Sequence, residues 1–131
     1  MADEINISLN VDVSSGNYRA SFRPGNIQPD MATIIGSDIA QNVAASWTLL
    51  TVGASVVPGG YYWFRNLSTS TSATWDPSIK ISIGGTSAAA TSTPFLNLRP
   101  GEYALGRCVT TTFSAISSTA TANLQFGIMS L

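Results

Sequence analysis

Histidine is absent from this 131-residue chain, and Cys108 is its single cysteine. That removes the Ser-His and Cys-His pairs that turn a side chain into a nucleophile at neutral pH. It also removes the His/Cys donor sets that hold zinc and any intramolecular disulfide. Cys108 itself, after Gly106-Arg107, reads as a small buried apolar residue. Carboxylates are the remaining supply: Asp3, Glu4, Asp12, Asp30, Asp38, Asp76 and Glu102. Two of them flanking a glycosidic bond would serve as acid and base. Most lie in segments that read as loops or on the outward face of the first strand. No glycine spacing for a phosphate or dinucleotide loop occurs between a strand and a helix pattern. The expectation is a non-enzymatic protein with no catalytic residue, cofactor or metal. Asn66-Leu67-Ser68 matches a glycosylation acceptor, and the expectation is a chance match.

Composition bounds the partners. The net charge is −1, so no basic field attracts nucleic acid. Only 10% of residues are charged, against roughly 25% in ordinary soluble domains, and Lys80 is the one lysine. Serine and threonine fill the polar positions. Two readings stay open: a Ser/Thr-rich β-domain of a hardy protein, or a surface meant to be covered by other copies or a partner. Interfaces are depleted in Lys, Glu and Asp and enriched in aromatics. Met1-Ala-Asp-Glu lacks the basic and apolar regions of a signal peptide, and no apolar run approaches the ~18 residues of a membrane span. These features predict a protein made in a cytoplasm, staying soluble or assembled there, with no membrane contact.

The elements that would position any site are strands. Ile5, Ile7, Leu9, Val11 and Val13 alternate with polar residues, which predicts a half-buried strand. Ser14-Ser15-Gly16-Asn17 turns the chain, and Tyr18, Ala20 and Phe22 continue it as a hairpin. Ile27 to Gly36 reads as an extended connection. Ile39 to Trp47 fits both a helical spacing and an alternating strand; the strand is preferred in a chain that is otherwise β. Pro58-Gly59-Gly60 breaks the chain before Tyr61-Tyr-Trp-Phe-Arg-Asn-Leu67. Four consecutive aromatics predict a strand covered on both faces. Ile79 to Ile83 alternates strictly. The small-residue stretches Ser68–Thr74 and Gly84–Thr93 read as loops with candidate mobility. Ala122, Leu124, Phe126 and Ile128 alternate nearly to the end, which ties that end into a sheet. Eight or nine short strands with Gly/Pro/Ser breaks argue for an all-β fold, an antiparallel β-sandwich or jelly-roll-like domain. It spans 1–131 as one domain, with residues 1–4 an arm that could order against a neighbour.

The strongest local signal is Phe95 to Arg107. Pro100-Gly101 fits the inner positions of a type II turn, a turn that favours splayed strands or a change of sheet over a tight hairpin. Leu96 and Leu98 mark one apolar face before it. Tyr103 and Leu105 mark a weaker one after it. Arg65 and Glu102 are charges beside apolar segments and would pair if their strands neighbour each other, since a buried charge needs a partner. Trp47 and Trp75 read as core or interface anchors, and Trp63 as core.

Gly60-Tyr61 through Leu67, Ile81-Ser-Ile-Gly84 and Pro94 through Arg107 together resemble a pattern in small β-rich accessory virion proteins of tailed bacteriophages. The resemblance covers roughly residues 58 to 107. It implies a β-sandwich that attaches to a particle, with a capsid decoration (cement) protein as the first expectation. Such a protein would sit in the virion as a homo-oligomer, a trimer, and bridge subunits of the major capsid protein. The resemblance carries no catalytic residues. Two alternatives remain: a tail or baseplate component, and a carbohydrate-binding sandwich in which Tyr61, Trp47 or Trp75 stacks on a sugar.

Overall fold

In a computed structural model, residues 3–4, 7–23, 26–27, 30–31, 39–51, 60–70, 76–83, 93–107, 112–119 and 121–129 are described. All regular structure among them is strand, and every pairing is antiparallel. The chain divides into two compact units, residues 1–32 and 33–131.

The first unit is one long hairpin. Strands β1 (Asp3–Glu4), β2 (Ile7–Ser8) and β3 (Val11–Ser15) run out; β4 (Tyr18–Phe22), β5 (Asn26–Ile27) and β6 (Asp30–Met31) return. β3 pairs with β4, β2 with β5 and β1 with β6. The expected hairpin is therefore present and longer than its alternation implies, because β5 and β6 lie in part of the stretch read as a connection. The turn at Gly16-Asn17 uses a glycine with φ of 57°, the left-handed region that two-residue hairpin turns demand. Between Ser8↔Asn26 and Val11↔Phe22 the register slips by one residue, the count a β-bulge makes. The expected half-burial does not occur. Every residue of β3 and β4 is exposed, since two strands alone supply no second layer.

The second unit is a sandwich. Its strands are β7 (Ile39–Ala44), β8 (Thr48–Leu49), β9 (Tyr61–Asn66), β10 (Ile79–Ile83), β11 (Leu96–Leu98), β12 (Tyr103–Arg107), β13 (Phe113–Ser117) and β14 (Thr121–Met129). They form two four-stranded sheets, β12-β9-β14-β7 and β11-β10-β13-β8. The pairs β7–β14, β8–β13, β9–β12 and β10–β11 nest within one another. The unit is thus an antiparallel ribbon, four strands out and four back. It is rolled so that β14 also joins β9 and β13 also joins β10. For Ile39 onward the strand won over the helix.

The two inner faces meet in one apolar core. Val43, Phe64, Ala122, Leu124, Phe126 and Ile128 come from one sheet; Ile79, Ile81, Leu98, Phe113 and Ala115 come from the other, with Leu50 beside them. Phe64 and Phe113 meet edge to face with ring centroids 5.2 Å apart, the geometry their quadrupoles favour. The alternation at Ala122, Leu124, Phe126 and Ile128 appears as expected, all four being buried.

β12 reverses its expected face. Tyr103 is 70% and Leu105 45% exposed, while Ala104 packs against the core. The cause is Tyr62 on the paired strand. A Cβ at Gly106 would stand 2.5 Å from its hydroxyl, so the ring occupies the space that a side chain at Gly106 would need. Small residues face inward because an aromatic from β9 already fills that volume.

Candidate interaction surface

Asn66 organises the corner at which β11 leaves one sheet and β12 enters the other. Its side chain is fully buried. The amide donates to Pro77 O at 2.9 Å and Leu98 O at 3.1 Å, bridging the two sheets, and its Oδ1 accepts from Ser68 N–H. Its backbone accepts from Gly101 N–H and donates to Glu102 O. Every polar atom of this buried amide group is thereby engaged, as burial requires. The same bonds occupy the side-chain nitrogen that a glycan would have to join, which gives a structural reason to read Asn66-Leu67-Ser68 as a chance match.

The turn expected at Pro100-Gly101 is present. Gly101 has φ of 82°, and Glu102 N–H donates to Arg99 O at 3.0 Å, which are the angle and bond of a type II turn. The Glu102 carboxylate then accepts from Arg99 N–H at 2.8 Å. β11 and β12 fall in different sheets, as a splaying turn implies. Arg65 and Glu102 do neighbour one another along the β9–β12 ladder, yet they form no ion pair. Arg65 is exposed on the outer face and Glu102 closes its own turn.

The outer face of β12-β9-β14-β7 is the candidate surface. Register places Arg65 between Tyr103 and Gln125, and Trp63 between Leu105 and Gly127. Tyr61 and Arg107 extend the same row. Tyr61 and Trp63 are half-buried, and Arg65, Tyr103, Leu105 and Arg107 are exposed. Towards β7 the face changes character: Asn123 pairs with Asn42, and Gln125 with Ala40. One half is therefore aromatic and arginine-bearing, the other amide-bearing and small. The expectation that aromatic β9 is covered on both faces is corrected. Tyr62, Phe64 and Asn66 face the core, Trp63 does not, and the reason is that no third layer lies over this sheet among the described residues. Tyr103 and Leu105 were legible only as a weak inner face; their alternation with Ala104 and Gly106, opposite a four-aromatic strand, was the signal that large residues there have nowhere to go but out.

Of the other candidates, Trp47 is half-buried just before β8, and Trp75 and Cys108 lie outside the described residues, as does most of the two small-residue loops. Three carboxylates have partners within the fold, Glu102 in its own turn being one. Asp12 pairs with exposed Arg23 at 3.3 Å, and Asp76 accepts from Ser118 Oγ at 2.7 Å. Among the described residues no three His, Cys, Asp or Glu side chains gather as a metal site, and no helix is long and apolar enough to cross a membrane. Comparison with protein-family models, with curated proteins and with solved structures finds no match.

Proposed function

We propose that this chain is a non-enzymatic structural protein of a phage virion, a capsid decoration protein that binds the major capsid shell through the outer face of β12-β9-β14-β7. The observation that carries the reading is the composition of that face. Tyr61, Trp63, Tyr103, Leu105, Arg65 and Arg107 stand together on one sheet surface in a chain with 10% charged residues. Tyr, Trp and Arg are the residues that protein interfaces enrich, and Lys, Glu and Asp those they deplete. Such a face grips a partner by desolvating rings and forming a few arginine hydrogen bonds, and repetition over a symmetric shell multiplies weak contacts into avidity. The nested strand order also supports reading the sandwich as a jelly roll, an architecture that viral capsid and lectin domains use; fold alone does not assign the role.

A sugar-binding module is the second reading. It is favoured by aromatic rings and amide side chains sharing one face, with Gln125 diagonal to Trp63 and the Asn123–Asn42 pair further along the same face. Quantitative mass spectrometry of purified particles from the source separates these. Copy numbers near those of the major shell protein support decoration, and Tyr103→Asp protein then fails to rebind shells stripped of it. A handful of copies moves the assignment to the tail or baseplate. Absence from particles sinks the virion reading and sends the face to a glycan-binding assay.

A further inference from the structure

Resting on the docking role proposed for the outer face of β12-β9-β14-β7, we infer that its partner is an acidic protein surface, one of whose carboxylates pairs with Arg65. Arg65 sits inside the aromatic half of that face. Register sets Tyr103 on one side of it and Gln125 on the other. Trp63 precedes it by two residues on the same strand. Leu67, 40% exposed, continues the row beyond it, with its N–H donating to Asn123 O. Paired residues lie about 5 Å apart across a sheet, and same-face residues about 7 Å apart along a strand. A partner that covers Tyr103 and Trp63 therefore covers Arg65 as well.

Charge selects that partner. Among the described residues, the outward positions of the four strands carry two charged side chains, Arg65 and Arg107, and no carboxylate. Glu102, which precedes β12, accepts from Arg99 N–H instead, and Arg65 makes no ion pair among the described residues. Free in solution, Arg65 is exposed and hydrated. Under a partner it loses that water, and a charge taken out of water needs an opposite charge and hydrogen bonds to offset the loss.

The alternatives fail that requirement. An apolar cover leaves the guanidinium unpaired. A second copy docked face to face brings the same patch and hence no carboxylate. A nucleic acid is drawn by a basic field, which a chain of net charge −1 lacks. A protein carboxylate meets the need, because the planar guanidinium donates two parallel hydrogen bonds to its two oxygens. Tyr103, Trp63 and Leu67 around the pair then keep water out, as the contacts that surround an interface hot spot do. Arg65 is thus the specificity-determining residue of the face, and the rings supply the contact area.

Rebinding of the purified chain to source particles stripped of it tests this, with circular dichroism checking the fold of each variant. Arg65→Met should weaken rebinding by roughly 30-fold or more, the ratio that ~2 kcal/mol produces. Arg65→Lys, which keeps the charge and loses the fork, should fall between the two. From about 50 to about 500 mM NaCl the screening length shortens about threefold. Wild-type rebinding should weaken over that range, and Arg65→Met should respond less. Carbodiimide coupling then reads the partner directly, since it joins a lysine to a carboxylate in contact with it as an amide, the carbodiimide taking up the water. The one native lysine, Lys80, lies in the other sheet. Mass spectrometry of coupled Arg65→Lys particles should therefore find an amide from position 65 to an Asp or Glu of the shell protein. Wild type that does not rebind at all fails the virion reading, and this inference falls with it. Wild type that rebinds while Arg65→Met rebinds equally well overturns the inference alone. So does coupling confined to Lys80, or an amide from position 65 to a second copy of this chain.

Discussion

The hairpin of β3 and β4 and the sandwich strand β14 are built from the same device, apolar residues at every second position, and they end in opposite environments. Val11 and Val13 alternate as cleanly as Leu124 and Phe126. The first pair stands in solvent and the second is fully buried. The difference lies in the neighbours. β14 has strands on both sides and a second sheet across its inner face. Among the described residues β3 has one strand beside it, and all five of its own residues are exposed. Alternation decides which side chains share a face; burial depends on whether anything is available to cover that face.

That comparison can be broken by experiment. The largest effect is expected from truncating the same residue type in the two units. Phe64→Ala empties the centre of the sandwich and should cost about 3–5 kcal/mol, read as a fall in the denaturant midpoint. Phe22→Ala should cost less than about 0.5 kcal/mol, as exposed substitutions do. Equal losses would mean that the hairpin face is covered within the chain.

Asn66→Leu tests whether the buried amide organises the sheet corner. It removes donors from Pro77 O and Leu98 O, and leaving buried carbonyls unpaired costs roughly 1–3 kcal/mol for each group. Accelerated amide exchange should appear first at Gly101, whose N–H donates to Asn66 O, and at residue 66 itself, whose N–H donates to Glu102 O. If exchange there stays at the wild-type rate, the side chain does not hold the turn.

Gly106→Ala sharpens the account of β12. The added methyl meets the Tyr62 ring and should destabilise by about 1–3 kcal/mol, the usual penalty of overpacking. Adding Tyr62→Val should recover part of that loss, so the two changes couple in a double-mutant cycle. Additive losses would show that Tyr62 is not what turns Gly106 inward. The smallest effect is expected at Asp12→Asn. That ion pair with Arg23 is exposed on both sides, and thermal melts should shift by no more than the small contribution of a surface pair.

Much of the sandwich was legible because its signals are local. The turn at Pro100-Gly101 needs only a fixed φ followed by a positive one. The strand at Ala122–Ile128 needs only a period of two. The candidate surface was legible in part. Arg65 and Glu102 stood out as charges in apolar company, but their expected pairing failed because Arg65 points outward and the Glu102 carboxylate is satisfied by Arg99 N–H within its own turn. Trp63 was read as core because four adjacent aromatics look symmetrical along the chain. In the sheet they cannot be, since Tyr62 and Phe64 face one way and Trp63 the other.

By itself, then, the amino-acid order determined the all-β class, the positions of the principal turns, and which residues share a face. It also determined how sparse the charge is, at 10% of residues. The tertiary structure alone decided which faces are covered. Tyr62 over Gly106 sends Tyr103 and Leu105 outward, and the β11–β10–β13–β8 sheet buries Phe64 while leaving Trp63 on the other side. Periodicity is a property of neighbouring residues, whereas burial is a property of layers brought together from distant parts of the chain, and no local pattern records which layer arrives.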